Sequence, residues 1–324
     1  MSFSTATAEA HPNIALVKYW GNRDDDLRLP QNGSISMNLG DLVTRTMVTF
    51  DSTLPRDTFD LNGIRQSGAA LDRVSQHLNL IRGIRGFSTP AHVFSESNFP
   101  AGAGLASSAA AFAALTVAAV RAAGMEMDEK ALTRLARRGS GSAARSIPAG
   151  FVEWYRGETD EDSYAVSIAP ANHWELVDCI AIIDSGEKKT GSTEGHRFAS
   201  TSPMQSARVA DADRRLALCR DALMLRDFDA LASVIELESN LLHGIAMTSH
   251  PAIYYWKPAT IDLMLTVSAW RNSGVPAAFT LDAGPNVHVI CEKAYADNLK
   301  EKLANRPGVM NVIVSNPGYG TILI

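Results

Sequence analysis

Three side chains of this sequence are of types that move protons or hold acids. Asp282 stands between an apolar run and the turn Ala283-Gly284-Pro285-Asn286, Lys18 closes a second apolar run at 13–18, and Arg145 lies in the small-residue segment 139–146, GSGSAARS. A carboxylate at a strand end, next to an alanine and a glycine, has space for a ligand and can accept a proton. An aspartate in a D-x-G turn also commonly does no more than bond its own backbone. Lys18 is expected to be half buried, its stem on apolar neighbours and its ammonium reaching water. Arg145 offers a planar fork suited to a carboxylate or a phosphate. Spacing alone does not bring the three together, so they name no reaction.

The stretch 98–108, NFPAGAGLASS, is suited to anions. It follows a strand pattern at 92–95 and opens a run, 105–123, made almost wholly of Ala, Leu, Val and Phe. That composition predicts a buried helix, with Gly124 as its left-handed stop. A strand, a Gly/Ser loop and a helix start aim backbone N–H groups at an anion. Gly102 and Gly104 let the main chain approach a phosphate, and Ser107 and Ser108 add hydroxyls. No GK[ST] follows, so this is not a Walker loop, and a tight turn without a ligand is the alternative reading.

The remaining patterns supply the elements that must position these groups. Alternation of Thr44, Thr46, Val48 and Phe50 predicts a half-buried strand, and Asn62-Gly63 a hairpin. Leu71, Val74, Leu78 and Ile81 share a helix face; Asp128 is a helix cap, with Gly139 as that helix's stop. A strand is expected at 151–154, and the acidic run 158–162 reads as a solvated loop. Helices follow at 204–225, 228–242 and 260–272, then strands at 277–281 and 287–291. A helix at 293–304 and strands near 309–314 and 320–324 close the chain.

Bulk properties exclude several classes. The chain has 324 residues, enough for about two domains. Its 30 basic and 35 acidic residues give a net charge of −5, so no basic field points to nucleic acid or a membrane surface. Any anionic ligand must be held by local groups. Cys179, Cys219 and Cys291 are scattered in apolar surroundings, which reads as buried thiols rather than disulfides or a zinc site. The first residues lack a basic region followed by an apolar one, and the longest apolar run carries serines. A cytoplasmic protein without a membrane span is therefore expected.

Four segments carry a resemblance: NIALVKYWG at 13–21, NFPAGAGLASSAAAFAAL at 98–115, RRGSGSAARS at 137–146 and FTLDAGPN at 279–286. In this order, along nearly the whole chain, they resemble the mevalonate-diphosphate decarboxylases of the GHMP kinase superfamily. The resemblance implies an α+β, two-domain fold. A ribosomal-protein-S5-like ATP-binding domain would occupy 1–184 and a ferredoxin-like α/β sandwich 185–324. It also implies that ATP, with Mg2+, phosphorylates the C3 hydroxyl of a phosphorylated mevalonate, after which CO2 and phosphate leave. Asp282 would then orient the hindered tertiary hydroxyl and take its proton, with Lys18 balancing that carboxylate. Arg145 would grip the substrate carboxylate, with Asn13 nearby. Ser140, Ser142, Tyr19, Asn22, Ser192 and Thr193 would complete the substrate contacts. Asn98, Pro100, Gly102, Ala103, Gly104, Leu105, Ala106, Ser107 and Ser108 would hold ATP, Ser107 (or Ser108) lying next to Mg2+. The implied partners are small molecules, with neither nucleic acid nor membrane, and a homodimer is compatible with the family.

Two departures stand out. The family run KYWGK ends here in Asn22, and the SST-x-GM segment is GSTEGH, with Gly191 and His196 in place of serine and methionine. A charge-assisted contact to phosphate is worth roughly 1.5–3 kcal/mol, so losing a lysine near the tail disfavours a diphosphate more than a monophosphate. Mevalonate 5-phosphate is the expected substrate and the 5-diphosphate the alternative, with Arg82, Arg85, Lys188 or His196 as replacement charges. A kinase that stops at phosphorylation and a catalytically inert nucleotide-binding regulator are the remaining readings.

Overall fold

Alternation builds the first sheet. In Thr44–Phe50 the residues Thr44, Thr46, Val48 and Phe50 are all buried, as their period of two predicts. A computed structural model of the chain describes residues 5–99, 106–186 and 190–324. Thr44–Phe50 lies between Thr5–Ala10 and Ala91–Ser97, antiparallel to both. Thr58–Leu61 runs parallel to Ala91–Ser97 and turns at Asn62-Gly63 into Ile64–Gln66, the expected hairpin. A second sheet orders Ala165–Ala169, Phe151–Trp154, Ser34–Asn38 and Asn13–Val17. A third, entirely antiparallel, orders Ala277–Thr280, Val287–Glu292, Leu176–Ile182 and Asn311–Ser315.

The alanine-rich helix Ser107–Ala122 is buried along almost its whole length. Its small side chains let it lie close on the strands Thr5–Ala10 and Thr44–Phe50. Gly124, at φ +68°, provides the expected left-handed stop. Asp128 caps Glu129–Gly139 by accepting from the Ala131 N–H. The helix ends at Gly139 as expected, though not through a left-handed glycine. Gly139 is the last helical residue, the extended Ser140 follows as the cap, and glycine is needed there because a Cβ would sit 2.2 Å from Phe112 of the central helix.

Other expectations need correction. The helix expected at 204–225 is two helices, Gln205–Ala210 and Ala212–Leu225, parted at Asp211, whose carboxylate takes Arg214 and Arg215. Helix 228–242 continues to Thr248. In the acidic run, Asp160 is no idle surface charge: it pairs with Arg134 and with the fully buried Arg137.

Sheet pairing crosses the expected division at 184/185 twice. Leu176–Ile182 is an inner strand of the third sheet, and Ile322–Leu323 returns to pair with Thr5–Ala10. Cys179, Cys219 and Cys291 are buried free thiols. Among the described residues, no helix is long and apolar enough to cross a membrane.

Candidate active site

Lys18 follows the buried strand Asn13–Val17, and Asp282 follows Ala277–Thr280, so two strand ends from distant parts of the chain meet. Lys18 Nζ donates to Asp282 Oδ1 at 2.8 Å and to the Ala15 carbonyl at 2.6 Å. Lys18 is not half buried as expected; it is 1% exposed, because Asp282 receives its ammonium where water would otherwise be needed. Burial lowers the lysine's pKa more than the Asp282 and Glu238 charges raise it. Burial pushes the Asp282 carboxyl up, but Lys18, His288 and Arg145 together outweigh it and hold the pKa below the usual range. Asp282 is thus an anion with an open edge on the cleft, a base poised beside a cation.

The backbone around Lys18 is fixed from behind by a buried ion cluster. Glu238 accepts from the Lys18 N–H at 2.9 Å, while Arg208 donates to the Lys18 carbonyl at 2.6 Å. Arg215 also pairs with Glu238, and Gln205 donates to the Trp20 carbonyl at 2.8 Å. None of these was singled out in the sequence. Glu238 had a legible signal: it is the one charge on the otherwise apolar stripe of Leu231, Ile235 and Leu242.

Arg145 approaches the same cleft from the short turn Gly141–Ser146. Ser34 Oγ accepts from Nη1 at 2.6 Å and Asn13 Oδ1 from Nη2 at 3.2 Å. Asn13 therefore stands behind Arg145 as a brace instead of lining the cleft. Burial lowers the guanidinium to about 10, still charged at neutral pH. Replacing Arg145 with lysine removes the planar fork and is expected to raise the substrate KM by about tenfold or more. The dissociation constant of an ATP analogue should change little. An equal rise in both constants would make Arg145 a nucleotide contact.

A row of hydroxyls joins the start of the central helix to the turn at 140–142. Ser108 Oγ lies 3.2 Å from Ser140 Oγ, which lies 3.4 Å from Ser142 Oγ. All three line the cleft with Ala106, whose left-handed backbone (φ 49°) opens the central helix toward it. Ser107 begins that helix. Pro100, Gly102, Ala103, Gly104 and Leu105 lie outside the described residues, as do Lys188 and Lys189. Asn98 is not at the cleft: its side chain braces the chain at Asp41 and Val43. Gly141 is needed because a Cβ there would meet the Tyr19 ring at 2.5 Å, and Gly195 because one would meet Trp20 at 2.4 Å.

The remaining wall carries Tyr19, Trp20, Ser192, Thr193 and His196. Asn22 is off the cleft lining; its Oδ1 accepts from the Tyr19 hydroxyl and its Nδ2 reaches Asp25 at 2.7 Å. His196 is stacked 4.0 Å from Tyr19 and accepts the Gly21 N–H on Nδ1 at 3.0 Å. Burial and the nearby Arg28, Arg208 and Arg145 charges lower its pKa to about 3. It is a neutral ring at physiological pH and replaces no lysine charge. Arg82 is paired with Asp57 in a different hollow, and Arg85 is exposed on the same helix. Arg28, which no sequence motif marks, does line the cleft. Its only advance signal was a cation closing the acidic loop Asp24–Asp26.

Profiles of the diphosphomevalonate decarboxylase-like N-terminal domain and the mevalonate 5-diphosphate decarboxylase C-terminal domain match residues 10–165 and 179–312. The chain belongs to the diphosphomevalonate decarboxylase family. It is 36% identical over 315 residues to diphosphomevalonate decarboxylase of Candida albicans, covering 91% of this chain and 86% of that protein. It is 33% identical over 302 residues to phosphomevalonate decarboxylase of Haloferax volcanii, covering 93% and 92%. MDDEF in complex with MVAPP, AMPPCP and magnesium superposes with a TM-score of 0.94 at 38% identity, covering 100% of this chain and 99% of that one. The decarboxylase family is one of carboxy-lyases in the mevalonate pathway, and its α+β two-domain fold is the one described above.

Proposed function

We propose that this enzyme converts mevalonate 5-phosphate to isopentenyl phosphate, with ATP and Mg2+. The observation that carries the monophosphate reading is a tail region one cation short of the family run: Asn22 stands where that run has lysine and is committed to Tyr19 and Asp25, and His196 is neutral. A diphosphate, with its extra negative charge, would lose more there than a monophosphate.

ATP suits the Gly/Ser-rich sequence 98–108, of which Ala106 and Ser108 line the cleft, and supplies the phosphoryl group that makes the C3 oxygen a leaving group. Mg2+ takes phosphate oxygens and waters with few protein ligands, which suits a cleft lined by the Ser108 hydroxyl, with Ser107 preceding it at the helix start. The chain's own residues do the rest. The Asp282 carboxylate orients the C3 hydroxyl and takes its proton as the oxygen gains phosphate. Lys18 holds Asp282 ionised and offsets charge at that oxygen. Arg145 grips the C1 carboxylate. When the C3–O bond breaks, the electron pair of the C1–C2 bond becomes the new double bond and CO2 departs.

The test is kcat/KM for CO2 release from mevalonate, its 5-phosphate and its 5-diphosphate. The 5-phosphate should lead. Asn22→Lys should shift the ratio toward the diphosphate by about tenfold, the size of one partly screened contact, and raised salt should shrink that gain. A wild-type enzyme that prefers the diphosphate would overturn the monophosphate reading and leave the decarboxylase intact.

A further inference from the structure

We infer that Arg28 is the cation that recognises the 5-phosphate end of the substrate, an inference that rests on the proposed reaction and adds a residue to it. Arg28 sits on the same small hairpin as Asn22, where Asn22–Asp24 pairs with Leu29–Pro30. The charge absent from one limb of that hairpin is therefore present on the other. Arg28 lines the cleft together with Tyr19, Ser140, Ser142 and His196.

Its guanidinium is held but not satisfied. Nε donates to the Arg138 carbonyl at 3.0 Å, while Nη1 and Nη2 have no hydrogen bond or ion pair among the described residues. The acids next to it in sequence are engaged elsewhere: Asp24 accepts from the Leu27 N–H at 2.8 Å and Asp25 from Asn22 Nδ2 at 2.7 Å. An arginine that Asp24 and Asp25 could neutralise instead keeps two donor ends for another acceptor. The backbone is arranged for this placement as well, since Arg28 has φ 49°, a left-handed conformation that residues with a Cβ rarely adopt.

Among the described residues, the other cleft cations have partners of their own. Lys18 is neutralised by Asp282, and Arg145 is braced by Ser34 and Asn13. That leaves Arg28 to face a phosphate monoester, with the serine hydroxyls of the same wall as further donors.

The test compares wild type with Arg28→Gln and Arg28→Lys, measuring dissociation constants for mevalonate 5-phosphate, for mevalonate and for an ATP analogue. Melting temperature controls for folding. Arg28→Gln should weaken mevalonate 5-phosphate by about tenfold or more and leave mevalonate and the nucleotide within about twofold. Arg28→Lys should recover part of the loss, since it keeps the charge but not the fork. Equal weakening of mevalonate and its 5-phosphate, or a loss confined to the nucleotide, would overturn the assignment. If wild type prefers the diphosphate, the monophosphate reading fails. Arg28 would still stand in that case, provided Arg28→Gln weakens both phosphorylated substrates and spares mevalonate.

Discussion

Asp282→Asn is expected to lower kcat by about 10²–10⁴-fold, the usual range for removing a general base. The amide keeps the shape of the carboxylate but can neither accept the proton of the C3 hydroxyl nor pair as an anion with Lys18. Its loop is tied down independently of that side chain. Ser239 Oγ accepts the Leu281 N–H at 3.1 Å, Thr260 Oγ1 donates to the Pro285 carbonyl at 2.8 Å, and Asn286 Oδ1 accepts the Ile183 and Asp184 N–H groups. The fold and ATP binding should therefore survive. Single-turnover CO2 release, beside a nucleotide titration and a melting curve, checks this. A folded variant with a near-normal rate removes Asp282 from the chemistry.

Lys18→Met should cost about two orders of magnitude or more in kcat, and its signature is in the pH profile. In the native cleft the lysine is a principal reason that the Asp282 carboxyl titrates below its usual range. Without it, burial acts against the carboxylate with less opposition, and the pKa of Asp282 must rise. The acidic limb of kcat against pH should then move upward. The alkaline limb set by Lys18, which burial brings below the ordinary lysine range, should disappear. The stability loss should stay smaller than for a fully buried orphan charge, because the Asp282 side chain is 25% exposed to the cleft. An acidic limb that does not move would show that Lys18 does not govern the charge on Asp282.

What the sequence made legible was local. The alternation through Thr44–Phe50, the Asp128 cap, the Asn62-Gly63 turn and the alanine-rich helix each depend on residues within a turn or two of one another. The motifs held the chemistry at strand ends and loops, where Lys18, Asp282, Arg145 and the serines lie. Burial of Lys18 was not legible, because its partners are 264 and 220 residues away at Asp282 and Glu238. Nor was the role of Gly139, since its requirement comes from a ring on another helix. The pairing of the final strand with the first strand of the chain was not legible either, since the two lie at opposite ends of the sequence. Arg28 follows a run of aspartates that carries no motif. Only the positions of Asp24 and Asp25 in space reveal that they leave it unpaired.

The central claim, that one cleft both phosphorylates and decarboxylates a phosphorylated mevalonate, is tested most directly by stoichiometry. Purified enzyme is mixed with ATP, Mg2+ and mevalonate 5-phosphate, and ADP, phosphate and trapped CO2 are counted in the same reaction. One of each per substrate consumed, beginning without a lag in CO2, is the expected result. ADP formed without CO2 would mark a kinase that stops at the phosphorylated alcohol, and neither product would mark a cleft that binds without turning over.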